Sequence, residues 1–377
     1  MNHDFKPLKL LILSDTAAPH TRRWANWFHQ NGHEVTVVSL NPHNCDGYSG
    51  PAIVHIWKAT TQNNSLIRAI KLIVVHVRLM RIIRRNRPDI IHAHSTVPYS
   101  WIAYLTRRPY IVTPWGTDLL VDAENSRINR RITIHVLKKA RLVTTDGLHF
   151  IPILEQMGIP RSRILKHMFG TDTQGFSPRD KKEARNKLEL PDKVTIISAR
   201  TLNPVHDVQT FIDALPKVFS LMENIQVLVV GDGSEREKLQ LLVSDYNLNQ
   251  KVFFLGMLSE PQLQTALAAS DIYVSTSLMD AGLAGGTAEA MATGLPVIHT
   301  DYGDNRSWTP EGEGGYLFPV GDSDLLSDLI LRLLDKKDLA HQMGLVNRRR
   351  ILTDNNIDIE MSKIKDAYIR VSNANPE

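Results

Sequence analysis

Two patterns of apolar and polar residues alternate along the whole chain. Short apolar runs that end in Gly, Asp or Ser predict buried strands, and longer stretches with apolar positions every three or four residues predict helices. The runs predicted as strands lie at residues 9–15, 33–39, 89–95, 110–118, 140–146, 193–200, 224–233, 251–256, 271–277 and 295–301. The helical pattern is clearest at residues 21–32, 208–222, 323–345 and 358–371. Strands that alternate with helices predict parallel sheets.

One segment, residues 170–180, interrupts this alternation with Gly, Ser and Pro and shows no periodicity. We place a linker there, between an N-terminal domain (1–175) and a C-terminal domain (176–355), and residues 356–377 form a C-terminal helix that could pack back on the N-terminal domain. Open parallel sheets bind ligands outside the carboxyl ends of their strands. The predicted fold is therefore α/β, with two Rossmann-like domains that face each other across a ligand-binding cleft.

Charge is unevenly distributed over the chain. Residues 1–175 contain 23 Lys and Arg against 11 Asp and Glu, whereas residues 176–377 contain 21 against 29. Much of the basic excess lies in two amphipathic helices, 65–87 and 127–141, which we expect to bind an anionic membrane surface. The alternative is that their apolar stripes pack inside and their charged faces are only solvated. Nucleic acid is not an expected partner, because no basic motif is interleaved with aromatic residues.

Cysteine content and hydropathy restrict the cellular compartments that are compatible with the sequence. Cys45 is the only cysteine, which excludes a disulfide or a cysteine-based metal cluster within the chain. Residues 1–20 lack the apolar core of a signal peptide, because Asp4, Lys6 and Lys9 interrupt it. No uncharged apolar run approaches the roughly 18 residues that span a bilayer. We expect a cytoplasmic protein, which could be peripheral on the inner face of the plasma membrane.

The stretch DAGLAGGTAEAMATGLPVIHTD, residues 280–301, follows a predicted strand and places glycines directly before a helix. Glycines at that position let a phosphate approach the backbone, and the helix start adds free N–H groups and partial positive charge. Glu289 would repel a phosphate, so it is better suited to accept hydrogen bonds from ribose hydroxyls. The alternative is a tight turn between strand and helix with a solvent-facing glutamate.

This stretch resembles the signature of the family-4 glycosyltransferases, which are retaining, nucleotide-sugar-dependent enzymes of the GT-B fold. Further similar segments are PHTRRWANWFHQNGHEVTVVS, RPDIIHAHS, GTDTQGFSP, VVGDGSEREKL, VFFLGMLS and ASDIYVSTS. The resemblance implies a GT-B fold and a nucleotide-sugar co-substrate, a UDP-sugar by family frequency, with no cofactor and no bound metal. It implies a glycan or lipid-linked acceptor only in general terms, and bacterial surface polysaccharide or glycolipid synthesis is the expected context.

The same resemblance implies a set of donor-binding residues. Glu289 matches the glutamate that binds the ribose, and Arg200 matches the arginine that clamps the diphosphate, a task to which a planar guanidinium is suited. The family usually has a lysine at the position of Val205, so one cation is lost or is replaced by His206. The resemblance also implies contacts with the nucleotide sugar through backbone or hydroxyl groups of five further residues. They are Gly231, Gly282, Leu283, Ala284 and Thr287.

Two acidic positions bear on the reacting centre and on metal binding. The acidic residue that the family often has eight positions before the ribose-binding glutamate is replaced by Ala281, and Asp280, one position further away, is the candidate for its catalytic role. The sequence DSD at 322–324 could suggest a metal ligand set. It precedes an apolar helical stretch, however, and we interpret it as a helix cap followed by a first-turn acid. No metal site is predicted.

The first domain also departs from the family pattern. TPWGTD, residues 113–118, has Trp115 where the family often has a histidine near the reacting sugar. An indole can stack on a sugar ring but cannot accept a proton. His94 and Asp118 are therefore the catalytic candidates of this domain, and His20 is a second histidine that could contact substrate. Asp118 could bind a sugar or acceptor hydroxyl, or it could only cap the following turn.

The leading prediction is a retaining hexosyltransferase, and three other functions are weighed against it. An NAD(P) oxidoreductase requires Gly-x-Gly-x-x-Gly after the first strand, but the chain has SDTAAPHT there. A nucleotide-sugar epimerase requires a catalytic acidic pair, which the sequence does not present. A degenerate, non-catalytic protein that binds a sugar nucleotide or a membrane stays open, because of the replacements at Trp115, Val205 and Ala281.

Overall fold

A computed structural model describes residues 6–40, 42, 45–56, 65–116, 118–119, 126–280, 282–310 and 312–374 of the 377-residue chain, and only the backbone at 65–72. The chain divides into two compact units. Unit 1 comprises Met1–Phe169 together with Asp358–Glu377, and unit 2 comprises Gly170–Ile357. Each unit is built on a parallel sheet, so the prediction of two parallel-sheet α/β domains is confirmed.

In the described part of unit 1, the sheet has seven strands. They are β1 (Lys9–Leu13), β2 (Glu34–Ser39), β3 (Ala52–His55), β4 (Ile90–His94), β5 (Ile111–Thr113), β6 (Leu142–Thr145) and β7 (Ile164–Lys166). Their order is β3-β2-β1-β4-β5-β6-β7, with parallel neighbours throughout. Four consecutive residues of β1, from Leu10 to Leu13, are buried, as expected for a parallel sheet that is covered on both faces.

Unit 1 also contains helices that follow these strands. They are α1 (Pro19–Gln30), α2 (Ser65–Asn86), α3 (Trp101–Leu105), α4 (Arg127–Lys139) and α5 (Phe150–Gln156). α1 begins with Pro19, which lacks the N–H that a helix start leaves unpaired, and it ends before Gly32, whose φ of +83° suits glycine. Trp24 and Phe28, four residues apart on one face of α1, are completely buried.

The sheet of unit 2 has six strands. They are β8 (Val194–Ala199), β9 (Ile225–Val230), β10 (Val252–Gly256), β11 (Ile272–Ser275), β12 (Val297–Thr300) and β13 (Gly315–Phe318). Their order is β10-β9-β8-β11-β12-β13, with parallel neighbours. In both sheets the direction of chain progression reverses once, between β1 and β4 in unit 1 and between β8 and β11 in unit 2. Such a reversal creates a crevice at the carboxyl ends of the two central strands.

The helices of unit 2 complete the alternation. They are α6 (Lys181–Lys187), α7 (Val208–Leu221), α8 (Arg236–Asp245), α9 (Glu260–Ala268), α10 (Gly285–Ala292), α11 (Asn305–Trp308), α12 (Ser323–Asp335) and α13 (Lys337–Asp354). Asp322 caps α12 by accepting the N–H of Leu325 at 2.9 Å, which confirms the capping interpretation of DSD. The single helix predicted over 323–345 is wrong, because Lys336 leaves the helical conformation with ψ +66° and separates α12 from α13.

The last helix, α14 (Ile357–Asn373), returns the chain to unit 1 from Asp358 onwards. In unit 1, Nε1 of Trp27 donates to Asp358 at 2.8 Å and Nε1 of Trp24 donates to Tyr368 at 3.0 Å. Among the described residues, no helix is both long enough and apolar enough to cross a membrane.

The units divide at slightly different positions from the predicted boundaries of 175 and 355. Thr171 accepts the N–H of Ile357 at 3.1 Å and donates its own N–H to Asn355 at 2.7 Å. These bonds tie the first residues after Phe169 to the end of α13, so they belong to unit 2. The polypeptide therefore enters and leaves unit 2 along two adjacent, parallel segments.

Candidate functional site

The carboxyl ends of β8 and β11 meet at the point where the unit 2 sheet reverses direction. Arg200 follows β8 directly, and Ser277 and Asp280 lie in the segment after β11. The fold thus joins residues that are 80 positions apart in sequence. Because open sheets bind ligands at this point, the segment after each strand is where binding side chains are expected.

Arg200, His206, Ser277 and Asp280 form a hydrogen-bonded group, which we call the arginine cluster. Nη2 of Arg200 donates to Oδ1 of Asp280 at 2.5 Å and to Oγ of Ser277 at 3.2 Å. The same nitrogen lies 3.0 Å from Nδ1 of His206. The side chains of Arg200 and Asp280 are only 11% and 6% exposed, so the ion pair is largely shielded from water. Nε of Arg200 is also buried and finds no hydrogen-bond partner among the described residues.

Two glycines allow other backbone segments to approach the arginine cluster. Gly231, after β9, has a φ of +127°, and a Cβ there would lie 2.0 Å from the carbonyl oxygen of Arg200. A Cβ at Gly286, in the first turn of α10, would lie 2.7 Å from the carbonyl oxygen of Ala199 and 2.8 Å from Oη of Tyr273. The start of α10 and the loop after β9 therefore both pack against the end of β8, next to Arg200.

The start of α10 supplies backbone donors beside this cluster. Gly282, Leu283 and Ala284 immediately precede the helix, and the first two are buried. The first N–H groups of a helix have no acceptor within the helix and carry the positive end of its dipole. Thr287, in the first turn, is also buried. Ala281 lies outside the described residues.

Glu289 lies in the second turn of α10 and is only 5% exposed. The solvent-facing glutamate that the sequence left open is therefore wrong. Tyr273, which is close enough for the charge of Glu289 to act on it, is completely buried, and burial raises the pKa of Tyr273 to about 12. This phenol is consequently neutral near pH 7 and can donate a hydrogen bond.

The arginine cluster carries no net charge at neutral pH. Burial, followed by the charge of Arg200, lowers the pKa of His206 to about 4, and Asp280 acts in the opposite direction. His206 is therefore uncharged, and the cation of Arg200 is matched by the anion of Asp280. Val205 is 37% exposed and supplies no charge where a cation was expected from the resemblance.

In unit 1, His94 lies within a group of aromatic rings at the carboxyl end of β4. The centroid of its ring is 4.8 Å from that of Trp24, 4.7 Å from His92 and 6.0 Å from Trp115. His94 is completely buried, and neither ring nitrogen finds a partner among the described residues. Burial and the charge of His20 lower the pKa of His94 to about 3. The ring is thus a neutral imidazole, and the described part of the chain offers no hydrogen-bond partner to either nitrogen.

His20 and His167 border the same group of rings. His20 stacks on Phe169 at a centroid distance of 4.2 Å, and His167 lies 4.9 Å from Trp24. Burial is the main cause that lowers the pKa of His20 to about 4 and that of His167 to about 3. The sequence named His20 as a second candidate, and the fold places it near His94.

A buried chain of hydrogen bonds fixes the ring orientation of His92, which lies next to His94. Trp24 donates to Oη of Tyr368, and that oxygen lies 2.6 Å from Nδ1 of His92. Nε2 of His92 lies 2.7 Å from Oγ1 of Thr113, which continues to Thr144 at 2.5 Å. Because an indole only donates, the Tyr368 oxygen accepts from Trp24, and among the described residues the phenol proton has Nδ1 of His92 as its acceptor. The hydrogen of the neutral His92 ring then lies on Nε2.

Both carboxylate oxygens of Asp118 accept hydrogen bonds from backbone N–H groups. Oδ2 accepts the N–H of Thr96 at 2.7 Å and Oδ1 accepts the N–H of Trp115 at 3.0 Å. Asp118 is only 4% exposed, and burial raises its pKa despite these bonds. This geometry favours the capping role over contact with a substrate. Nε1 of Trp115, in contrast, is buried without a partner among the described residues.

The two basic helices combine buried stripes with exposed basic and apolar residues. Val75, Leu79 and Ile83 of α2 are buried, so its apolar stripe packs inside. Exposed residues of α4 include Arg127, Ile128, Arg130, Arg131, Lys138 and Lys139. Ile128 is 69% exposed and Ile73 of α2 is 64% exposed, which places large apolar side chains beside the exposed basic residues. The side chains of residues 65–72 lie outside the description.

Some residues of the site are not among those predicted from the sequence. Tyr273 and Ser277 lie in the run ASDIYVSTS, which reads as a plain buried strand, and Tyr368 lies in an ordinary helical pattern. Their roles arise from contacts with segments far away in sequence. Within the described ranges, no group of three His, Cys, Asp or Glu side chains is arranged to hold a metal ion.

Comparison with protein families gives two matches. The model described as "Glycosyl transferases group 1" matches residues 180–350, and the model described as "Glycosyl transferase 4-like" matches residues 9–147. Together they match most of the chain, and each lies within one of the two units.

Individual proteins agree with these families. The chain is 26% identical to N-acetyl-alpha-D-glucosaminyl L-malate synthase of Bacillus anthracis, over 71% of each chain. It is 25% identical to UDP-Gal:alpha-D-GlcNAc-diphosphoundecaprenol alpha-1,3-galactosyltransferase of Escherichia coli, over 82% of this chain and 81% of the relative. Among solved structures, Anabaena Alr3699/HepE in complex with UDP and glucose superimposes with a TM-score of 0.80 at 17% identity, covering 96% of this chain and 99% of that one.

Proposed function

The chain belongs to the family-4 glycosyltransferases of the GT-B fold, and we propose that it transfers a sugar from a nucleoside diphosphate sugar to a glycan or lipid-linked acceptor with retention of configuration. Bacterial surface polysaccharide or glycolipid synthesis is the proposed context. The relative from Escherichia coli, whose name specifies a diphosphoundecaprenol-linked acceptor, supports a lipid-linked acceptor.

The observation that carries this proposal is the meeting of Arg200, the start of α10 and the buried Glu289 at one point of unit 2. Arg200 and the N–H groups that precede and begin α10 are suited to a diphosphate, because fixed donors and a helix dipole favour anions. Glu289 then accepts hydrogen bonds from the ribose. Gly231 and Gly286 let the loop after β9 and the start of α10 pack closely against the end of β8, beside Arg200.

Catalysis in this proposal is electrostatic. As the bond between the sugar and the diphosphate breaks, Arg200 and the start of α10 stabilise the negative charge that develops on the leaving group. Asp280 contacts the donor sugar once Arg200 turns towards the phosphates. No protein base is assigned, and the departing phosphate oxygen takes the proton of the attacking hydroxyl. We propose that no metal is required, because Arg200 and the free N–H groups at the start of α10 can hydrogen-bond to the phosphates, and EDTA should leave turnover unchanged.

His94 and Trp115 are proposed to contact substrate in unit 1. His94 is neutral and has two free ring nitrogens, so it can donate one hydrogen bond to a sugar or acceptor hydroxyl and accept another. Trp115 offers an apolar face for a sugar ring and an unpartnered N–H. Asp118 holds the backbone of Trp115 in place.

UDP is the proposed nucleotide, supported by the UDP-bound complex of the Anabaena protein and by the UDP-Gal in the name of the Escherichia coli relative. The test is a thermal-shift and calorimetric panel with UDP, GDP, ADP, CMP and NAD. Ligand at about 100 times its dissociation constant should add roughly 2.7 kcal/mol of stability. One nucleoside diphosphate should bind and the others should not. Failure of all five to bind would refute the donor site.

Matched variants locate the site. Arg200→Lys keeps a charge beside Asp280 but loses the planar fork, and we expect binding of the diphosphate to weaken about tenfold to a hundredfold. Glu289→Gln should weaken nucleotide binding without changing binding of inorganic pyrophosphate. Lys217→Ala and Glu237→Gln, on exposed helical surfaces of unit 2, are the controls. Equal losses in the controls would refute the assignment.

A non-catalytic binding protein is the second candidate, favoured by Trp115 and Val205 at positions where the family has histidine and lysine. Turnover of the nucleotide sugar distinguishes the glycosyltransferase from the binding protein. Release of nucleoside diphosphate from the nucleotide sugar that binds, stimulated by an undecaprenyl diphosphate sugar, supports the enzyme. Tight nucleotide-sugar binding with no release or hydrolysis supports the binding protein.

The basic helices are proposed to place the enzyme on an anionic membrane surface, where a lipid-linked acceptor lies. Sedimentation with phosphatidylglycerol vesicles should exceed that with phosphatidylcholine vesicles and should fall with added salt. A variant with Arg127, Arg130 and Arg131 changed to Gln should lose most of this difference. A variant with three exposed cations of unit 2 changed to Gln, Lys182, Lys187 and Lys217, should retain it.

A further inference from the structure

His206 acts as a hydrogen-bond acceptor in the arginine cluster. Its Nδ1 lies 3.0 Å from Nη2 of Arg200, and a guanidinium can only donate. The hydrogen of Nη2 that does not point to Asp280 is shared between Nδ1 of His206 at 3.0 Å and Oγ of Ser277 at 3.2 Å, and the shorter contact favours an unprotonated Nδ1 with the hydrogen of the neutral ring on Nε2. Nε2 forms no hydrogen bond with a described residue, so this nitrogen is available to a ligand.

The charged groups around His206 leave little positive charge for a diphosphate. Arg200, from the end of β8, is paired with Asp280, from the segment after β11, at 2.5 Å. Asp207, next to His206, is occupied as the acceptor of the Thr210 hydroxyl at 2.6 Å. A donor diphosphate carries two negative charges, yet Arg200 is the one cation among the described groups whose charge acts on His206, and Asp280 neutralises it.

We propose that His206 takes up a proton when the nucleotide sugar binds and, as a cation, contacts the diphosphate through its Nε2–H. This inference rests on the proposed function, because it assigns a role within the same donor site. It makes His206 a diphosphate ligand whose charge appears only in the occupied site.

The hydrogen bonds of the cluster allow this exchange. Protonation converts Nδ1 from an acceptor into a donor, so it can no longer hold Nη2 of Arg200. Ser277 Oγ, 3.3 Å from Nδ1, can accept the new N–H, because a hydroxyl both donates and accepts. Arg200 loses one of its three contacts and is freer to turn towards the phosphates.

The pKa of His206 is consistent with proton uptake on binding. In the free protein, burial and the charge of Arg200 hold it at about 4. Two phosphate charges next to the ring favour the protonated form and raise the pKa. Binding then becomes stronger as the pH falls, by up to about tenfold per pH unit between the pKa of the free protein and that of the complex.

Calorimetry measures the proton directly. UDP-glucose and GDP-mannose are the probes, because their diphosphate is esterified at both ends and has no proton to exchange near neutral pH. Titrations at pH 5.5, 6.5 and 7.5, each in two buffers with different ionisation enthalpies, give the number of protons taken up. We expect a value that approaches one at pH 5.5 and falls towards pH 7.5.

Variants assign the proton to a residue. His206→Gln keeps an acceptor for Arg200 but cannot be protonated, so its proton uptake should fall to zero and its affinity should no longer depend on pH. His206→Lys should bind with pH-independent affinity. His299→Phe is the control, because His299 is buried, also feels the charge of Asp280 and should not be the proton carrier.

The outcomes separate the inference from the function. Binding without proton uptake, or uptake that persists in His206→Gln, would overturn the inference and leave the donor site intact. Uptake that disappears in His299→Phe instead would also overturn it. If neither nucleotide sugar binds the wild-type protein at any pH, the proposed donor is wrong and the inference falls with it.

Discussion

Acid should destabilise unit 1 through its buried histidines. Burial is the largest cause that lowers the pKa of His20 to about 4 and the pKa values of His94 and His167 to about 3. In the unfolded chain the pKa of each is about 6.5. Above that pH both states are neutral and stability does not depend on these groups. Below it the unfolded chain binds protons that the folded state excludes, so stability falls as the pH falls towards 3 to 4.

The expected magnitude follows from these pKa values. At pH 5, each of the three histidines should cost about 2 kcal/mol of unfolding free energy relative to pH 8. Together they amount to roughly 6 kcal/mol, a large part of the 5 to 15 kcal/mol that is typical for a folded domain. The loss should therefore be visible as a steep drop in the urea midpoint between pH 6.5 and pH 5.

Urea unfolding at pH 8 and pH 5, followed by tryptophan fluorescence, tests this explanation. Trp24 and Trp27 lie in unit 1 and report on its core. His167→Phe keeps a ring against Trp24 but removes one titrating group, so its stability relative to wild type should improve by about 2 kcal/mol from pH 8 to pH 5. Phe169→Leu alters packing in the same place, and its effect should be equal at both pH values. If His167→Phe also has the same effect at both values, the electrostatic explanation is refuted.

Four further substitutions test the packing of the two units. Gly231→Ala should lower the unfolding free energy by at least about 2 kcal/mol and weaken nucleotide binding, because its Cβ would meet a backbone oxygen at 2.0 Å. Gly312→Ala is the comparison, because φ there is +80° but nothing lies within 4 Å of the added Cβ, and it should lower the unfolding free energy by only about 1 kcal/mol. If chemical denaturation gives the same loss for Gly231→Ala and Gly312→Ala, the steric explanation is wrong. Tyr368→Phe should lower stability by about 1 to 3 kcal/mol, because two buried hydrogen-bond partners lose their contact. Asp118→Asn should lower stability by a similar amount, because an amide oxygen replaces only one of the two carboxylate acceptors, and an unchanged melting temperature would show that the two N–H bonds are not needed.

The sequence predicts the elements that depend on local pattern. The central strands of both sheets are continuous apolar runs, and Asp322 stands at the start of an apolar helix, so both are recognisable without tertiary information. The short strands β3, β7 and β13 are not predicted. β3 is only partly buried and β7 has three residues, so neither produces a distinct apolar run. The helix that ends before Lys336 has no glycine or proline at its end, so the pattern of residues does not predict where it stops.

The features of the candidate site that depend on long-range contacts could not be predicted from the sequence. The resemblance identifies Arg200 and Glu289, but it does not show that Arg200 is paired with Asp280 or that Glu289 is buried. The contacts of Tyr368 with α1 and β4 depend on where α14 returns, which no local signal in the sequence reveals. The sequence also leaves open whether Asp118 binds substrate, and the two backbone N–H groups on its carboxylate favour a structural role.

The return of the chain into unit 1 at Asp358 has a consequence for biosynthesis. The ribosome releases all of Gly170–Ile357 before it delivers the helix that carries Tyr368. At 5 to 20 residues per second, that interval is roughly ten to forty seconds. During this time Trp24 and His92 have no phenol to pair with, and the nascent first unit stays incomplete while the inserted unit can already fold. Chaperones that protect exposed apolar surface therefore have their longest opportunity at the N-terminal unit, although it is synthesised first.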